Sequence, residues 1–273
     1  MSLIEMALQK AQSSLGAKDV NQRRNPPVPS RRMPTAAATT EPATGTFTVV
    51  TPDRAVMEAN CVLSEVEDQA VLRSYKILRT RVLQRLTANN WHSTAITAAG
   101  SGEGKSLTAI NLSLALAQDV NTRVVLVDLD LQRPHIAQYL GISHPKGVAD
   151  YLAGEATLDE IACEIKGERL IVLPGSQPLV NSSELLASPR MRALSTELSQ
   201  RFPNWVIVFD MPPLMASDDM LVFAPQVDSV LLVVSESVSQ RQVMLRAKET
   251  LAEMNLLGVM LNRSRERNDS LYY

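Results

Sequence analysis

Residues 94–106, TAITAAGSGEGKS, decide the fold of this chain. The run from Thr94 to Ala98 is short and apolar, as expected for a buried strand, and a helical pattern begins at Ser106. Glycines between a strand and a helix let successive backbone N–H groups turn toward one point, where the helix N-terminus also favours an anion. The stretch therefore predicts a phosphate-binding loop, or P-loop, on an α/β sheet.

Two side chains of this loop have specific expected partners. Lys105 is expected to bridge the β and γ phosphates of ATP, and the Ser106 hydroxyl to bind Mg²⁺. A dinucleotide-binding fingerprint is excluded, because its third glycine would fall on Lys105. The predicted nucleotide-binding residues of the loop are Gly100, Ser101, Gly102, Glu103, Gly104, Lys105, Ser106 and Leu107.

Two aspartates follow the next apolar run, VVLV at residues 124–127. Asp128 and Asp130 are two positions apart, so on an extended strand end both carboxylates point to the same side, toward the phosphate loop. One carboxylate can hold magnesium while the other accepts a proton from an incoming hydroxyl. We therefore predict that Lys105, Asp128 and Asp130 are catalytic.

A third carboxylate ends the apolar run WVIVFD at residues 205–210. Asp210 has the position of the magnesium-associated aspartate of a Walker B strand. Pro212 and Pro213 end the strand and stiffen the loop that follows. The predicted metal site consists of Ser106, Asp130 and Asp210.

Short apolar runs alternate with helical patterns from residue 94 onward. Because strand–helix–strand connections are right-handed crossovers, this order predicts an α/β fold with a mostly parallel sheet and helices on both faces. Ligands bind at the carboxyl ends of the strands in such sheets. The predicted strands are Thr94–Ala98, Val124–Val127, Leu170–Leu173, Val206–Phe209, Val230–Val234 and Leu257–Leu261.

The chain divides into four parts. Residues 1–16 have apolar residues at helical spacing and predict an amphipathic helix, whereas residues 17–46 form a basic, proline-rich linker that we expect to be disordered. Residues 47–262 form the nucleotide-binding domain. Residues 263–273 are a flexible tail that ends in Tyr272 and Tyr273.

Composition excludes several classes of protein. The 27 basic and 29 acidic residues leave a net charge of −2, which gives no global field to attract nucleic acid or an anionic membrane. Cys61 and Cys163 have no metal or redox spacing. No apolar run reaches the about 20 residues of a membrane span, and the start lacks the order of a secretion signal. We expect a cytoplasmic protein.

Six segments together resemble the bacterial tyrosine kinases of capsule and exopolysaccharide synthesis. The resemblance covers roughly residues 72–273 and includes the terminal tyrosine pair. It implies a P-loop NTPase with deviant Walker motifs, in which residues 47–262 are a kinase domain that uses ATP and Mg²⁺. The segments are YKILRTRVLQRL, ITAAGSGEGKS, VVLVDLDLQRP, NSSELLASPRM, VIVFDMPP and LLGVMLNRS.

The resemblance also implies roles for individual residues. Asn262 would lie on the adenine side of the nucleotide, and Tyr272 and Tyr273 would be phosphoacceptors. The tail that carries them could reach about 35 Å when extended, far enough to enter a neighbouring subunit of a homo-oligomer and be phosphorylated in trans. The opening MSLIEMALQKA looks like that of stand-alone members, which a membrane polysaccharide chain-length protein activates. Any membrane association would then run through that partner.

The chain departs from the family pattern at three places. Gln132 replaces an arginine, the oligomerisation motif Glu-x-x-Arg-x-x-Arg appears as Arg73, Lys76 and Arg79, and the tail has only two tyrosines. Gly100 stands where the partitioning and septum-placing ATPases have a signature lysine, which favours the kinase. Two alternatives remain open: a non-kinase ATPase of that type, and a nucleotide-binding scaffold of a polysaccharide export complex.

Overall fold

The computed structural model describes residues 47–63, 69–236, 238–239 and 241–264. The predicted helix at residues 1–16, the linker at residues 17–46 and the phosphoacceptors Tyr272 and Tyr273 lie outside these described residues. Predictions about them therefore stay predictions.

The described residues form one eight-stranded sheet. Its members are β1 (Thr48–Val50), β2 (Ser93–Ala98), β3 (Val124–Asp128), β4 (Cys163–Ile165), β5 (Leu170–Leu173), β6 (Val206–Asp210), β7 (Ser229–Ser235) and β8 (Leu256–Asn262). They lie in the order β1-β4-β5-β3-β6-β2-β7-β8. The six strands from β5 to β8 in this order are parallel, whereas β1 and β4 run in the opposite direction because β4 pairs antiparallel with β5. The predicted mostly parallel sheet is confirmed.

All six predicted strands are present, with ends that differ by at most one residue. β1 and β4 were not predicted. Each has only three residues, and neither contains the continuous apolar run that marks the central strands. Strands this short are specified by the neighbours they pair with more than by their own composition.

Helices cover the sheet. They are α1 (Arg54–Ala59), α2 (Gln69–Asn89), α3 (Lys105–Ala117), α4 (Ile136–Leu140), α5 (Val148–Ala153), α6 (Leu158–Ile161), α7 (Ser182–Leu186), α8 (Pro189–Arg201), α9 (Asp219–Phe223) and α10 (Arg241–Thr250). Local chemistry sets their ends. For example, the Ser188 side chain accepts a hydrogen bond from the Met191 N–H at 3.1 Å, and Pro189 occupies the first turn of α8. Among the described residues, none of the helices combines the length and apolar character of a membrane span.

Side chains of the central strands alternate between two hydrophobic cores. Val125 and Val127 pack in the core that contains α8, whereas Val124 and Leu126 pack in the core that contains α3. Every residue of β2, β3, β5 and β6 is buried. A parallel strand covered on both faces is apolar along most of its length, which is why β3, β5 and β6 could be predicted from the sequence; β2 also buries Ser93, Thr94 and Thr97.

The strand order brings the predicted functional segments together. β3, β6 and β2 are adjacent, and each ends at the same edge of the sheet. Asp128 at the end of β3 pairs in register with Asp210 at the end of β6, which in turn pairs with Ile96 of β2. The loop after β2 therefore lies beside both aspartates.

Candidate active site

The loop between β2 and α3 contains two glycines in the left-handed region of backbone conformation. Gly102 has φ 76° and Gly104 has φ 93°. Gly104 is also the residue before the first turn of α3. These angles turn the chain sharply from the strand into the helix, whose first N–H groups have no partner within the helix. The loop thus has the backbone shape of an anion site.

Gly104 has a second constraint that Gly102 lacks. A Cβ built on Gly104 would lie 2.2 Å from Asn262 Nδ2, whereas a Cβ on Gly102 meets no atom within 4 Å. Asn262 Nδ2 donates a hydrogen bond to the Glu103 carbonyl at 2.9 Å, so an added methyl group at 104 would break this link. Asn262, at the end of β8, is therefore packed directly against the phosphate loop.

We expect Gly104→Ala to destabilise the protein more than Gly102→Ala. The left-handed backbone costs a residue with a Cβ about 1–2 kcal/mol in both variants. Gly104→Ala also loses the hydrogen bond of Asn262, which is worth about 1 kcal/mol. Urea unfolding of both variants beside the wild type measures the difference. Equal losses in the two variants would show that Asn262 does not constrain position 104.

Lys105 is surrounded by carboxylates. Its Nζ lies 2.6 Å from Asp130 Oδ2, 3.5 Å from Asp210 Oδ1 and 3.0 Å from Ser106 Oγ. Burial lowers the pKa of Lys105, but the negative charges of Asp210 and Asp130 outweigh burial and raise it. The Lys105 ammonium is therefore a positive charge held in place at the N-terminus of α3.

Asp128 is fully buried and is held by one of its two oxygens. Oδ2 accepts hydrogen bonds from the backbone N–H groups of His135 and Ile136, both at 3.0 Å. Oδ1 is buried and has no hydrogen-bond partner among the described residues. Burial, reinforced by the charge of Asp210, raises the pKa of Asp128 well above that of an ordinary aspartate. The two backbone amides thus fix the orientation of this carboxylate, and its second oxygen has no hydrogen bond. Its raised pKa makes it a stronger base than an ordinary aspartate.

The prediction that Asp128 and Asp130 point the same way holds only in part. Both are buried, but β3 ends at Asp128, so strand alternation no longer sets the direction of Asp130. Asp130 contacts Lys105, whereas Asp128 turns to the amides at the start of α4. The two carboxylates therefore have different partners and different environments.

The residues present fit a magnesium nucleotide. Both oxygens of Asp210 are buried, and burial raises the pKa of this carboxyl against the lowering effect of its contacts with Lys105, whose Nζ is 3.5 Å from Oδ1, and with Ser106. The described residues contain no group of three His, Cys, Asp or Glu side chains arranged to hold a metal by themselves. Mg²⁺ commonly binds through one or two carboxylates plus substrate phosphates, so Ser106, Asp130 and Asp210 match that use.

Glu103 lies beneath the loop and not at its surface. Only 2% of the residue is exposed, and its Oε1 accepts the Gly100 N–H at 3.2 Å. Burial raises the pKa of Glu103, opposed by a hydrogen bond from Ser239. The side chain of Glu103 therefore supports the loop from inside, and the predicted binding of nucleotide by this residue stays a prediction. Ser101 and Gly102, in contrast, are exposed.

Gln132 contacts the start of α7 and not the predicted phosphate site. Its Nε2 donates to Ser182 Oγ at 2.9 Å, and Ser182 donates to the buried Asp219 at 3.0 Å. Neither Ser182 nor Asp219 was predicted as a site residue, although Ser182 belongs to the segment NSSELLASPRM that carries part of the family resemblance. The glutamine thus connects the segment after β3 with the starts of α7 and α9.

The fold and site are those of a P-loop nucleotide-binding protein. Residues 94–272 match the CobQ/CobB/MinD/ParA nucleotide binding domain. Tyrosine-protein kinase YwqD of Bacillus subtilis (strain 168) is 28% identical over 218 residues, 79% of this chain and 91% of the relative. Tyrosine-protein kinase CpsD of Streptococcus agalactiae is 30% identical over 175 residues, 63% of this chain and 75% of the relative.

A solved structure agrees with these relatives. The crystal structure of the VpsO kinase domain superposes with a TM-score of 0.64 at 30% identity, covering 74% of this chain and 100% of that domain. This chain belongs to the CobQ/CobB/MinD/ParA nucleotide-binding family and, within it, to the bacterial tyrosine-protein kinases.

Proposed function

We propose that this chain is an ATP-dependent protein-tyrosine autokinase that regulates the synthesis and export of exopolysaccharide or capsular polysaccharide. The observation that carries the proposal is the convergence of Lys105, Asp128, Asp130 and Asp210 at the ends of adjacent strands. A lysine beside a phosphate loop with buried carboxylates suits phosphoryl transfer, in which positioning and charge stabilisation supply most of the catalysis. The relatives named above are tyrosine-protein kinases.

The roles follow from the environment of each residue. The loop amides and Lys105 would bind the phosphates, and Lys105 would exchange Asp130 for the γ-phosphate when ATP enters. Asp128 is the proposed base, since its Oδ1 has no hydrogen bond and its pKa is raised. Ser106, Asp130 and Asp210 would hold Mg²⁺, which would supply positive charge to the phosphates. Asn262 would lie near the base of the nucleotide.

In the proposed transfer step, the tyrosine oxygen forms a bond to the γ-phosphorus, while the bond between that phosphorus and the β–γ bridging oxygen breaks. Asp128 takes the hydroxyl proton, and ADP leaves with the bridging oxygen. Lys105 stabilises the charge on the transferring group. Tyr272 and Tyr273 of a neighbouring copy are the proposed acceptors.

The proposal includes a partner and a location. A membrane polysaccharide chain-length protein would activate the kinase at the inner face of the membrane, with the chain itself in the cytoplasm. A homo-oligomer would present the tail of one copy to the active site of the next. No nucleic acid takes part.

Incubation with labelled ATP tests the proposal. Purified protein, with and without a cytoplasmic fragment of the membrane activator, should incorporate phosphate on tyrosine. The double variant Tyr272→Phe, Tyr273→Phe should lose the label, whereas Tyr139→Phe, a half-buried tyrosine of α4, should keep it. Release of free phosphate with no phosphotyrosine, even with the activator, would instead favour the non-kinase ATPase. Nucleotide affinity with neither product would favour the scaffold.

A further inference from the structure

Asp130 lies beyond the end of its strand, so the sheet alone does not fix its position. The pairing of β3 with β6 ends at Asp128 and Asp210. The Asp130 side chain nevertheless has defined partners, since its Oδ2 lies 2.6 Å from Lys105 Nζ and its Oδ1 accepts the Arg133 N–H at 3.2 Å. This proposed metal ligand therefore lies on a short turn, residues 130–133, whose position other contacts must fix.

Two hydrogen bonds hold this turn to the segment that leads into α7. One joins two backbone groups, because the Leu131 carbonyl accepts the Leu179 N–H at 2.8 Å. The other uses side chains, because Gln132 Nε2 donates to Ser182 Oγ at 2.9 Å. Only 1% of Ser182 is exposed, so this acceptor belongs to the interior of the protein. The turn is thus anchored to a buried group next to Asp130.

Ser182 extends the connection to α9. Its hydroxyl donates to Asp219 Oδ1 at 3.0 Å, and Asp219 is fully buried. A hydroxyl has one hydrogen, so its donation to Asp219 leaves its lone pairs for the Gln132 amide. The hydrogen bonds therefore run in one direction, from Gln132 to Ser182 and from Ser182 to Asp219.

The loop before α9 leads back to the phosphate loop. The Leu214 N–H donates to the Ala98 carbonyl at 2.8 Å, and the Met215 N–H donates to the Ala99 carbonyl at 3.3 Å. Asp219 follows Met215 closely along the chain. The contacts thus form a closed ring around the place where the phosphates would bind, and the turn that carries the proposed metal ligand is one part of this ring.

We infer that Gln132, Ser182 and Asp219 are positioning residues that hold Asp130 in place for Mg²⁺, and we call these three residues the Gln132 relay. The inference rests on the proposed function for the identity of the ligand, Mg-ATP, and it adds residues outside the predicted nucleotide site. Loss of a residue that orients a metal ligand typically lowers metal affinity or activity by about 10- to 100-fold. The relay should therefore determine how much Mg²⁺ the protein needs to bind ATP.

Gln132→Met tests the relay, because it removes the N–H donor at an exposed position and keeps a side chain of similar length. We expect the Mg²⁺ concentration that gives half of the full gain in ATP affinity to rise about tenfold. The affinity for ATP without Mg²⁺ and the melting temperature should stay close to the wild type. Equilibrium binding of ATP over a series of Mg²⁺ concentrations measures both affinities.

Gln138→Met is the matched control. It makes the same change at an exposed position of α4 and should leave the Mg²⁺ requirement unchanged. A wild-type Mg²⁺ requirement in Gln132→Met, or an equal rise in Gln138→Met, would overturn the inference.

A double-mutant cycle separates positioning of Asp130 from a general effect on the fold. If Gln132 acts through Asp130, Gln132→Met should add nothing to the Mg²⁺ requirement of Asp130→Asn. Ser182→Ala should raise the requirement as Gln132→Met does. Asp219→Asn keeps an oxygen that can accept the Ser182 hydroxyl, so it should stay close to the wild type. Additive effects of Gln132→Met and Asp130→Asn would contradict the positioning role.

The inference and the proposed kinase function can fail separately. Mg²⁺-dependent ATP binding that responds to Gln132→Met, without any phosphotyrosine in the wild type, would support the relay and contradict the kinase. Phosphotyrosine in the wild type, with no response of ATP binding to Gln132→Met, would support the kinase and contradict the relay.

Discussion

Lys105→Met is expected to lower phosphate transfer by about 10²- to 10³-fold, the usual loss when one preorganised charge-stabilising donor is removed. The lysine is held by Asp130 and faces Asp210, so it is in place before nucleotide arrives. The rate at which label is transferred to tyrosine measures this loss, and the affinity for Mg-ATP is measured beside it. Transfer at the wild-type rate would exclude Lys105 from the reaction.

Lys105→Met should also lower the free energy of unfolding, so a control variant is needed to separate an effect on folding from an effect on phosphate transfer. Removing one partner of a buried ion pair costs about 3–5 kcal/mol, because the other charge is left unpaired. The double variant Lys105→Met, Asp130→Asn removes the unpaired carboxylate charge and should recover part of the free energy of unfolding. It should not recover transfer. Recovery of both would mean that Lys105 acts only through folding.

Asp128→Asn is expected to lower kcat for tyrosine transfer by about 10²- to 10⁴-fold while Mg-ATP affinity stays close to the wild type. The asparagine carbonyl can still accept the amides of His135 and Ile136, so the local structure is preserved. What the variant lacks is a base. A wild-type kcat in Asp128→Asn would exclude Asp128 from proton transfer.

The raised pKa of Asp128 adds two measurable signatures. The base must be ionised, so in the wild type kcat should fall on acidification at a higher pH than for a carboxyl with the ordinary value of 3.8. Between 3.8 and the folded-state pKa the native state keeps a proton that the unfolded chain has released. The free energy of unfolding therefore falls as pH rises through that interval. Asp128→Asn should thus be more stable than the wild type at neutral pH, although it is less active.

Much of the fold was predictable because its central strands are buried on both faces. Such strands need continuous apolar runs, and Val124–Asp128 and Val206–Asp210 have them. The phosphate loop was predictable for a similar reason, since its glycines and lysine are adjacent in sequence. Patterns of this kind can be recognised because all the residues that determine the local structure are adjacent in sequence.

Features that depend on distant residues could not be predicted. Glu103 turns inward because Gly100 and Ser239 offer hydrogen bonds there, and Ser239 belongs to another part of the chain. Gly175 lies close to Pro134, two residues that are far apart in sequence and follow the paired strands β5 and β3. A glycine and prolines directly after a strand, as in LPGSQP at residues 173–178, were the signal available in the sequence.

The last strand of the sheet ends in contact with the phosphate loop. Asn262 donates to the Glu103 carbonyl, and the residues that carry the terminal tyrosines follow Asn262 directly along the chain. Asn262 therefore links the phosphate loop to the end of β8. A displacement of the Glu103 carbonyl would reach, through a single hydrogen bond, the residue after which the sequence continues to the terminal tyrosines.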